Sequence, residues 1–368
     1  MIAYNIVTQI TVMCAWLRRQ TELVGLDIGT SSIKAVHLQR SRGSYRVAEL
    51  GIVPLHPGTI VDGMIMDAAA VSTAIRHLFD THGITVKDVA FSVSGHSVII
   101  KKIKTPRMQA AELREGIAWE AAQHIPYAID DVNLDFQILR GKDSGLAEMD
   151  VLLVAVKKDI LNDYLSAISA AGLNVAVVDV GVFAIENTFT MLKKVQPGEV
   201  VALVNVGAAA TNINILSDGI SDFTRDSPLG GNRHTESVER SIGVSFEQAE
   251  ALKRGKPVEG HSFREAEPVI EMVNSELAGE IRRSFDFYYS TSQHDTIHRM
   301  VLSGGCALLP GLADYLSSTL ELPVEVANPF QYIHAEPKKY DAQFLASIAP
   351  QMAVAVGLAL REAEENAG

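Results

Sequence analysis

The chain has 368 residues, 47% apolar and 21% charged, so wholesale disorder is excluded and roughly two to three compact units are expected. Its 32 Lys and Arg against 44 Asp and Glu give a formal charge of −12, which excludes a protein whose main task is holding nucleic acid. Two cysteines, Cys14 and Cys306, cannot build a disulfide framework or a structural zinc site, and a reducing cytoplasm is the expected compartment.

The N-terminal residues 2–17 are mostly apolar but contain Asn5, Thr8, Gln9 and Thr11, and they fall short of the roughly 20 residues that span a bilayer. Arg18 and Arg19 follow the apolar run, whereas a signal peptide places its positive charge first. Ile2, Ile6, Ile10, Met13 and Leu17 recur at helical spacing, so residues 1–21 read either as a short amphipathic helix or as a disordered extension before a true start at Met13. No other stretch is long and apolar enough to span, and a soluble protein is expected.

Residues 24–36 then form an apolar strand, a polar residue, a glycine, small residues and a second alternating strand. Residues 202–214 repeat that pattern half a chain later. Each copy fits a β-hairpin with a glycine tip, where backbone N–H groups can face a ligand. Two halves that open alike predict a two-domain α/β protein with duplicated halves and a central cleft.

Between the hairpins, residues 65–82 read as a helix carried by Val71, Ile75, Leu78 and Phe79, ending near Gly83. Residues 89–93 and 97–103 alternate like strands. A helix over 110–125 places Leu113, Ile117 and Ala121 on one face and stops at Pro126. Strands over 132–139 and 151–156 flank a polar turn at 141–145, and a helix over 159–171 leads to a buried strand at 175–180. In the second half, residues 234–242 read as a helix. A long helix is expected from about Pro268, with Val269, Val273, Leu277, Ile281, Phe285 and Tyr289 stepping by four. A strand over 300–302 and a close-packed helix over 352–360 follow.

Asp27-Ile28-Gly29-Thr30-Ser31-Ser32-Ile33-Lys34 carries the strongest chemistry. Gly29, Thr30 and Ser31 offer N–H and O–H donors to phosphate oxygens, and Asp27 sits where a carboxylate can hold a water on Mg²⁺. Lys34 supplies a point charge, unless its strand turns it away; an ordinary hairpin with a satisfied turn is the alternative. Gly230 and Gly231, in Pro228-Leu229-Gly230-Gly231-Asn232, open a helix whose N-terminus favours anions, although a plain turn accounts for them equally well. Gly304 and Gly305 follow a buried strand, where paired glycines let the backbone approach a flat ligand or simply make a tight connection.

These segments together resemble the phosphate and adenosine motifs of the actin, sugar kinase and heat-shock chaperone ATPase superfamily. Within it the chain resembles the PilM family of type IV pilus assembly, relatives of the division protein FtsA. The resemblance rests on residues 24–36, Ile100-Lys101-Lys102-Ile103, Trp119-Glu120-Ala121-Ala122-Gln123-His124-Ile125-Pro126, Val132-Asn133-Leu134-Asp135, Thr211-Asn212-Ile213-Asn214 and 303–310. It implies an actin-like (ribonuclease H-like) fold binding ATP with Mg²⁺ in the central cleft. Asp27, Gly29, Thr30 and Ser31 would face the phosphates from one side, Gly207 and Ala208 from the other. Glu250 and Lys253 would flank the nucleoside, although such a pair on a helix is usually solvated. Gly304, Gly305 and Cys306 would line the purine, although a cysteine at a packed turn is more often a small filler.

The same resemblance implies domains at 22–198, with an FtsA-like insert at about 90–165, and at 199–345, then a C-terminal helix over 346–368 packing back on the first. It implies as partner the cytoplasmic N-terminal peptide of a PilN-type inner-membrane protein, with other pilus assembly proteins and a role in twitching motility. The chain would then be cytoplasmic and reach the inner membrane only through that partner. Where the superfamily commonly has aspartate, this chain has Asn205, which can hold a metal-bound water but brings no charge. Asp179 stands at the position that usually presents Glu or Gln to the attacking water, and it is a methylene shorter. Slow or absent hydrolysis is therefore expected, and Asn205→Asp is expected to raise Mg²⁺-dependent turnover if charge is limiting. The alternatives are a small-molecule kinase, for which no general base beyond Asp179 is evident, and an FtsA-like filament former, whose C-terminal amphipathic helix has no counterpart in the acidic residues 361–368.

Overall fold

A computed structural model of the chain describes residues 22–41, 44–95, 98–140, 147–192 and 195–361. The expected extension over 1–21, the turn at 141–145 and the acidic tail after Arg361 lie outside the described residues. The chain divides into two compact units, Met1–Ala184 with Ala355–Gly368, and Ile185–Val354.

Unit 1 begins with β1 (Val24–Ile28), β2 (Ser32–Ser41) and β3 (Ser44–Pro54), an antiparallel meander. A short ribbon of β4 (Ile60–Val61) and β5 (Met64–Ile65) leads to α1 (Ala68–His82) and β6 (Asp88–Val93). The helix starts later than expected because Ile65 is taken by β5 and Asp67 caps the helix, accepting the Ala70 N–H at 2.9 Å. Gly83, left-handed at φ 67°, ends it. Then come β7 (Val98–Pro106), α2 (Ala110–Ala122), β8 (Val132–Arg140), β9 (Glu148–Lys157), α3 (Lys158–Ala170), β10 (Asn174–Val180) and α4 (Gly181–Leu192), along which the chain passes from unit 1 to unit 2 at Ile185.

The main sheet of unit 1 has the order β10-β6-β1-β2-β3, with β6 parallel to both β1 and β10. Leu26, Ile33, Ile75, Leu78 and Phe91 form its buried centre. The β7-β9-β8 sheet is a separate antiparallel layer. On β9, Leu152, Val154 and Val156 pack into the main core, while Val151, Leu153 and Ala155 pack with Leu113, Ile117 and Ala121 of α2. Burial on both faces is why this strand reads as an unbroken apolar run. The α2 helix stops at Ala122, short of 125, because the His124 and Ile125 N–H groups both turn back to the Ala121 carbonyl ahead of Pro126.

Unit 2 repeats the plan. Its strands are β11 (Val200–Val206), β12 (Thr211–Ser217) and β13 (Ile220–Ser227), followed by α5 (Gly231–Ile242), α6 (Phe246–Lys253) and α7 (Phe263–Thr291). Next are β14 (Arg299–Ser303), α8 (Leu312–Leu320), β15 (Val324–Val326), α9 (Ala342–Ile348) and α10 (Ala353–Ala359), the last of which reaches into unit 1. The sheet order β13-β12-β11-β14-β15 is again an antiparallel three-strand meander continued by two parallel strands. The fold is α/β with duplicated halves.

The long helix α7 begins before Pro268, at Phe263, where the Ser262 N–H is held by Glu265 Oε1 at 3.0 Å. Its buried line is also corrected. Steps of four overrun the 3.6-residue turn, so the stripe drifts and Tyr288 is buried where Tyr289 was expected. Among the described residues, one helical stretch, Ala342–Ala359, is long and apolar enough to cross a membrane, and 67% of it is buried within the protein.

Candidate functional site

The hairpin register in unit 1 places Asp27 opposite Lys34. Cross-strand partners share a face, so Lys34 does not turn away: its ammonium lies 3.0 Å from Asp27 Oδ2, with both side chains mostly buried. The Gly29 N–H closes the turn on the Ser32 carbonyl at 3.1 Å. A Cβ on Gly29 would lie 3.2 Å from the Lys34 ammonium, so the glycine lets that cation sit over the turn. Ser31 is exposed at the tip beside the half-buried Thr30. Tyr164 registers the local charge: burial, then the Asp27 carboxylate, push its phenol up to about 12.

Asp179 lies elsewhere in unit 1 and has no exposed surface. Its Oδ1 accepts the Val180 N–H at 2.7 Å, and its Oδ2 lies 3.2 Å from Arg361 Nε. Burial pushes this carboxyl up, against the pull of Arg361 and the Val180 N–H. Directing a water needs an accessible oxygen, so the expected catalytic position is corrected to an internal ion pair.

In unit 2, Asn205 stands opposite Asn212, on the same rung of its hairpin as the Asp27–Lys34 pair. The tip closes with Gly207 N–H on the Ala210 carbonyl at 2.9 Å. The α5 start lies directly on this tip. Gly231 N–H donates to the Gly207 carbonyl at 2.9 Å, and Asn232 N–H to the Ala208 carbonyl at 2.7 Å. A Cβ on Gly230 would meet the Ala208 oxygen at 2.6 Å, and one on Gly231 the Cys306 sulfur at 2.5 Å. Gly230 and Gly231 thus let the helix start press against the hairpin. The reading of this helix N-terminus as an open anion site is corrected, because its first N–H groups already hold carbonyls.

Lys253 and Glu250 of α6 reach the same point. Lys253 is 5% exposed, with its ammonium 2.5 Å from Glu250 Oε2, 2.8 Å from Thr235 Oγ1 and 3.2 Å from the Gly231 carbonyl. This is a buried cluster and not a solvated pair. Burial pushes the Glu250 carboxyl up, but Lys253, Thr235 and Arg254 together outweigh it and hold the group below the usual range. The turn after β14 completes the cluster. Gly304 has φ 88°, and its N–H reaches the Pro350 carbonyl at 2.8 Å. A Cβ there would lie 2.3 Å from the Val206 oxygen, whereas Gly305 faces open space. Of the paired glycines, only Gly305 leaves room for a ligand. Cys306 is buried 3.5 Å from the Gly207 carbonyl, and burial pushes its thiol up to about 11, so it acts as a small packing residue.

Unit 2 therefore gathers Gly207, Ala208, Gly230, Gly231, Glu250, Lys253, Gly304 and Cys306, while Asp27, Gly29, Thr30, Ser31 and Lys34 form the tip of unit 1. Sequence reasoning missed Thr235, wedged between Lys253 and Glu250; its signal was its place one helical turn after Gly231. It also missed Arg361, a lone cation closing an apolar helix. On α2, Trp119 is 71% exposed.

The sequence model of the family described as type IV pilus assembly protein PilM matches residues 25–363. A solved PilM-PilN type IV pilus biogenesis complex has a chain 30% identical, with a TM-score of 0.85, covering 94% of this chain and 99% of that one. The cell division protein FtsA of Bacillus subtilis (strain 168) is 24% identical over 86% of this chain and 80% of its own length. MreB5 of Spiroplasma citri is 12% identical with a TM-score of 0.55, covering 95% of this chain and 100% of that one, a likeness of fold. The chain has the actin-like fold and belongs to the PilM family of type IV pilus assembly proteins.

Proposed function

We propose that this chain is an ATP-binding scaffold of type IV pilus assembly that grips the cytoplasmic N-terminal tail of a PilN-type membrane protein and hydrolyses ATP slowly or not at all. The observation that carries the nucleotide reading is the buried Lys253–Glu250–Thr235 cluster locked onto Gly231, beside the Gly207 tip and the Gly304 turn. A cation this deeply enclosed, next to an open glycine at 305, fits a site for a nucleoside. Thr30, Ser31 and Lys34 are donors suited to phosphate oxygens, and Asp27 is the carboxylate suited to a water on Mg²⁺. When bound, Mg²⁺ would neutralise phosphate charge. MreB5, of the same fold, was solved bound to ADP. Slow turnover follows from Asp179, whose carboxylate is sealed against Arg361.

The partner reading is supported by the family and by the likeness to a PilM-PilN complex over nearly the whole chain. On this reading the protein is cytoplasmic and reaches the inner membrane through its PilN-type partner. The test mixes the purified protein with ATP and Mg²⁺, with and without the N-terminal peptide of a PilN-type protein, and measures nucleotide retention, peptide binding and phosphate release. Retention and peptide binding with little phosphate support the scaffold. Substrate-stimulated ADP production identifies a kinase instead, and ATP-dependent filaments with no peptide binding identify an FtsA-like activity.

A further inference from the structure

The strand registers of unit 2 align four polar side chains on one straight rung. Asp226 of β13 is paired with Asn212 of β12, Asn212 with Asn205 of β11, and Asn205 with Ser303 of β14. The hydrogen bonds follow the rung: Asn212 Nδ2 donates to Asp226 Oδ1 at 2.7 Å, and Asn205 Nδ2 to Asn212 Oδ1 at 3.3 Å. At the far end Ser303 Oγ donates to Asn205 Oδ1 at 3.3 Å. The matching rung of unit 1 differs. Lys34 faces Asp27 on one side and Ile52 on the other, so its charge is cancelled within two strands.

The direction of the unit 2 rung is dictated from one end. A carboxylate only accepts, so Asn212 must turn its amino group to Asp226. Its carbonyl is then left facing Asn205, which must donate in turn. Asn205 therefore points its own oxygen at the Ser303 hydroxyl, directly beside the strained Gly304, whose missing Cβ would lie 2.9 Å from that same oxygen.

We infer that Asp226, acting through Asn212, fixes Asn205 as a positioning residue for the Ser303-Gly304 turn, so that this site requires asparagine where its superfamily commonly carries aspartate. This rests on the nucleotide reading, since that turn would line the purine. Aspartate at 205 would set two carboxylates at opposite ends of the Asn212 amide. That amide turns its amino group to one of them and its carbonyl oxygen to the other, an acceptor against an acceptor. The relay thus reverses the expected sign for Asn205→Asp. It also predicts a rescue: with Asp226→Asn added, the donor direction runs backwards along the rung, from the new amide through Asn212 to a carboxylate at 205 that still accepts from Ser303.

The experiment compares the full chain with N205D, D226N and the double variant. Thermal melting is measured without nucleotide, and ATP affinity by calorimetry in Mg²⁺ and in EDTA. Asn205→Asp should lower the melting temperature and weaken ATP binding about tenfold, equally with and without Mg²⁺. The double variant should recover most of both losses. Additive losses, or an N205D protein that binds ATP more tightly in Mg²⁺ alone, overturn the inference. If the wild-type protein binds no ATP, the nucleotide reading fails by itself, and the melting cycle still decides: rescue supports the relay, additivity overturns it.

Discussion

Replacing Lys253 by methionine tests the centre of the unit 2 site. The substitution keeps the length of the side chain but removes the cation from Glu250, Thr235 and the Gly231 carbonyl. Breaking a buried ion pair from one side costs roughly 3–5 kcal/mol, because the remaining charge is left uncompensated. The lower end, about 3 kcal/mol, applies here. The Glu250 side chain keeps 26% of its exposure and a second partner, Arg254, at 2.7 Å. The pH dependence follows from the sign of the Glu250 shift. A carboxyl held below its unfolded value adds stability above that value, about 4.5, and the contribution is lost as pH falls through the folded value. The gap between wild type and variant should therefore be full at neutral pH and close in acid, where a protonated Glu250 no longer needs the cation. Urea unfolding followed by far-UV circular dichroism reads this. Tryptophan fluorescence does not, because Trp119 belongs to unit 1 and Trp16 lies outside the described residues. The paired variant E250Q/K253M should regain most of the loss. A K253M protein within about 0.5 kcal/mol of wild type at neutral pH, or a gap that persists in acid, refutes the reasoning.

Two further contrasts test the packing around the site. Gly304→Ala forces a Cβ to 2.3 Å from the Val206 backbone oxygen at φ 88°, and should cost about 3 kcal/mol or more, whereas Gly305→Ala faces open space and should stay within about 0.5 kcal/mol; chemical unfolding of both separates strain from glycine content. At the core of unit 1, Arg361→Met should cost about 3–5 kcal/mol at neutral pH by stranding the Asp179 carboxylate, and the paired variant D179N/R361M should regain most of that loss. Because burial raises the Asp179 carboxyl above its unfolded value, its ionisation works against folding. The R361M deficit should therefore shrink as pH falls through the folded value, and urea midpoints measured from neutral to acid pH check it.

The duplicated plan was legible because each half announces itself with the same string: an apolar strand, a polar rung, a glycine and a second strand. Local periodicity then recovered the buried faces of α1 and α2, where Val71, Ile75, Leu113 and Ile117 repeat at the helical spacing and are buried. One error was local: Pro268 reads as a helix start, yet the capping box of Ser262 and Glu265 starts α7 earlier and the proline falls inside the helix. The others came where tertiary contacts outweigh pattern. Asp179 reads as a reactive carboxylate at a strand end, but its partner Arg361 is distant in sequence and no local pattern ties the two. Glu250 and Lys253 look like surface residues on any helical wheel. Only the α5 start, folded against the Gly207 tip, encloses them.

The glycines illustrate why a motif and a site are different things. Read as sequence, Gly230, Gly231 and Gly304 all suggest backbone bared to a ligand. In the folded unit each is required by the chain itself, since a Cβ on any of them would collide with the Ala208 oxygen, the Cys306 sulfur or the Val206 oxygen. They build the site by letting a helix start, a hairpin tip and a turn come within contact distance. The chemistry then falls to what those contacts enclose, namely the Lys253 cation and the asparagine rung. A protein with the same glycines but an exposed lysine at 253 would keep these backbone contacts and lose the enclosed ion pair that ties α6 to the start of α5.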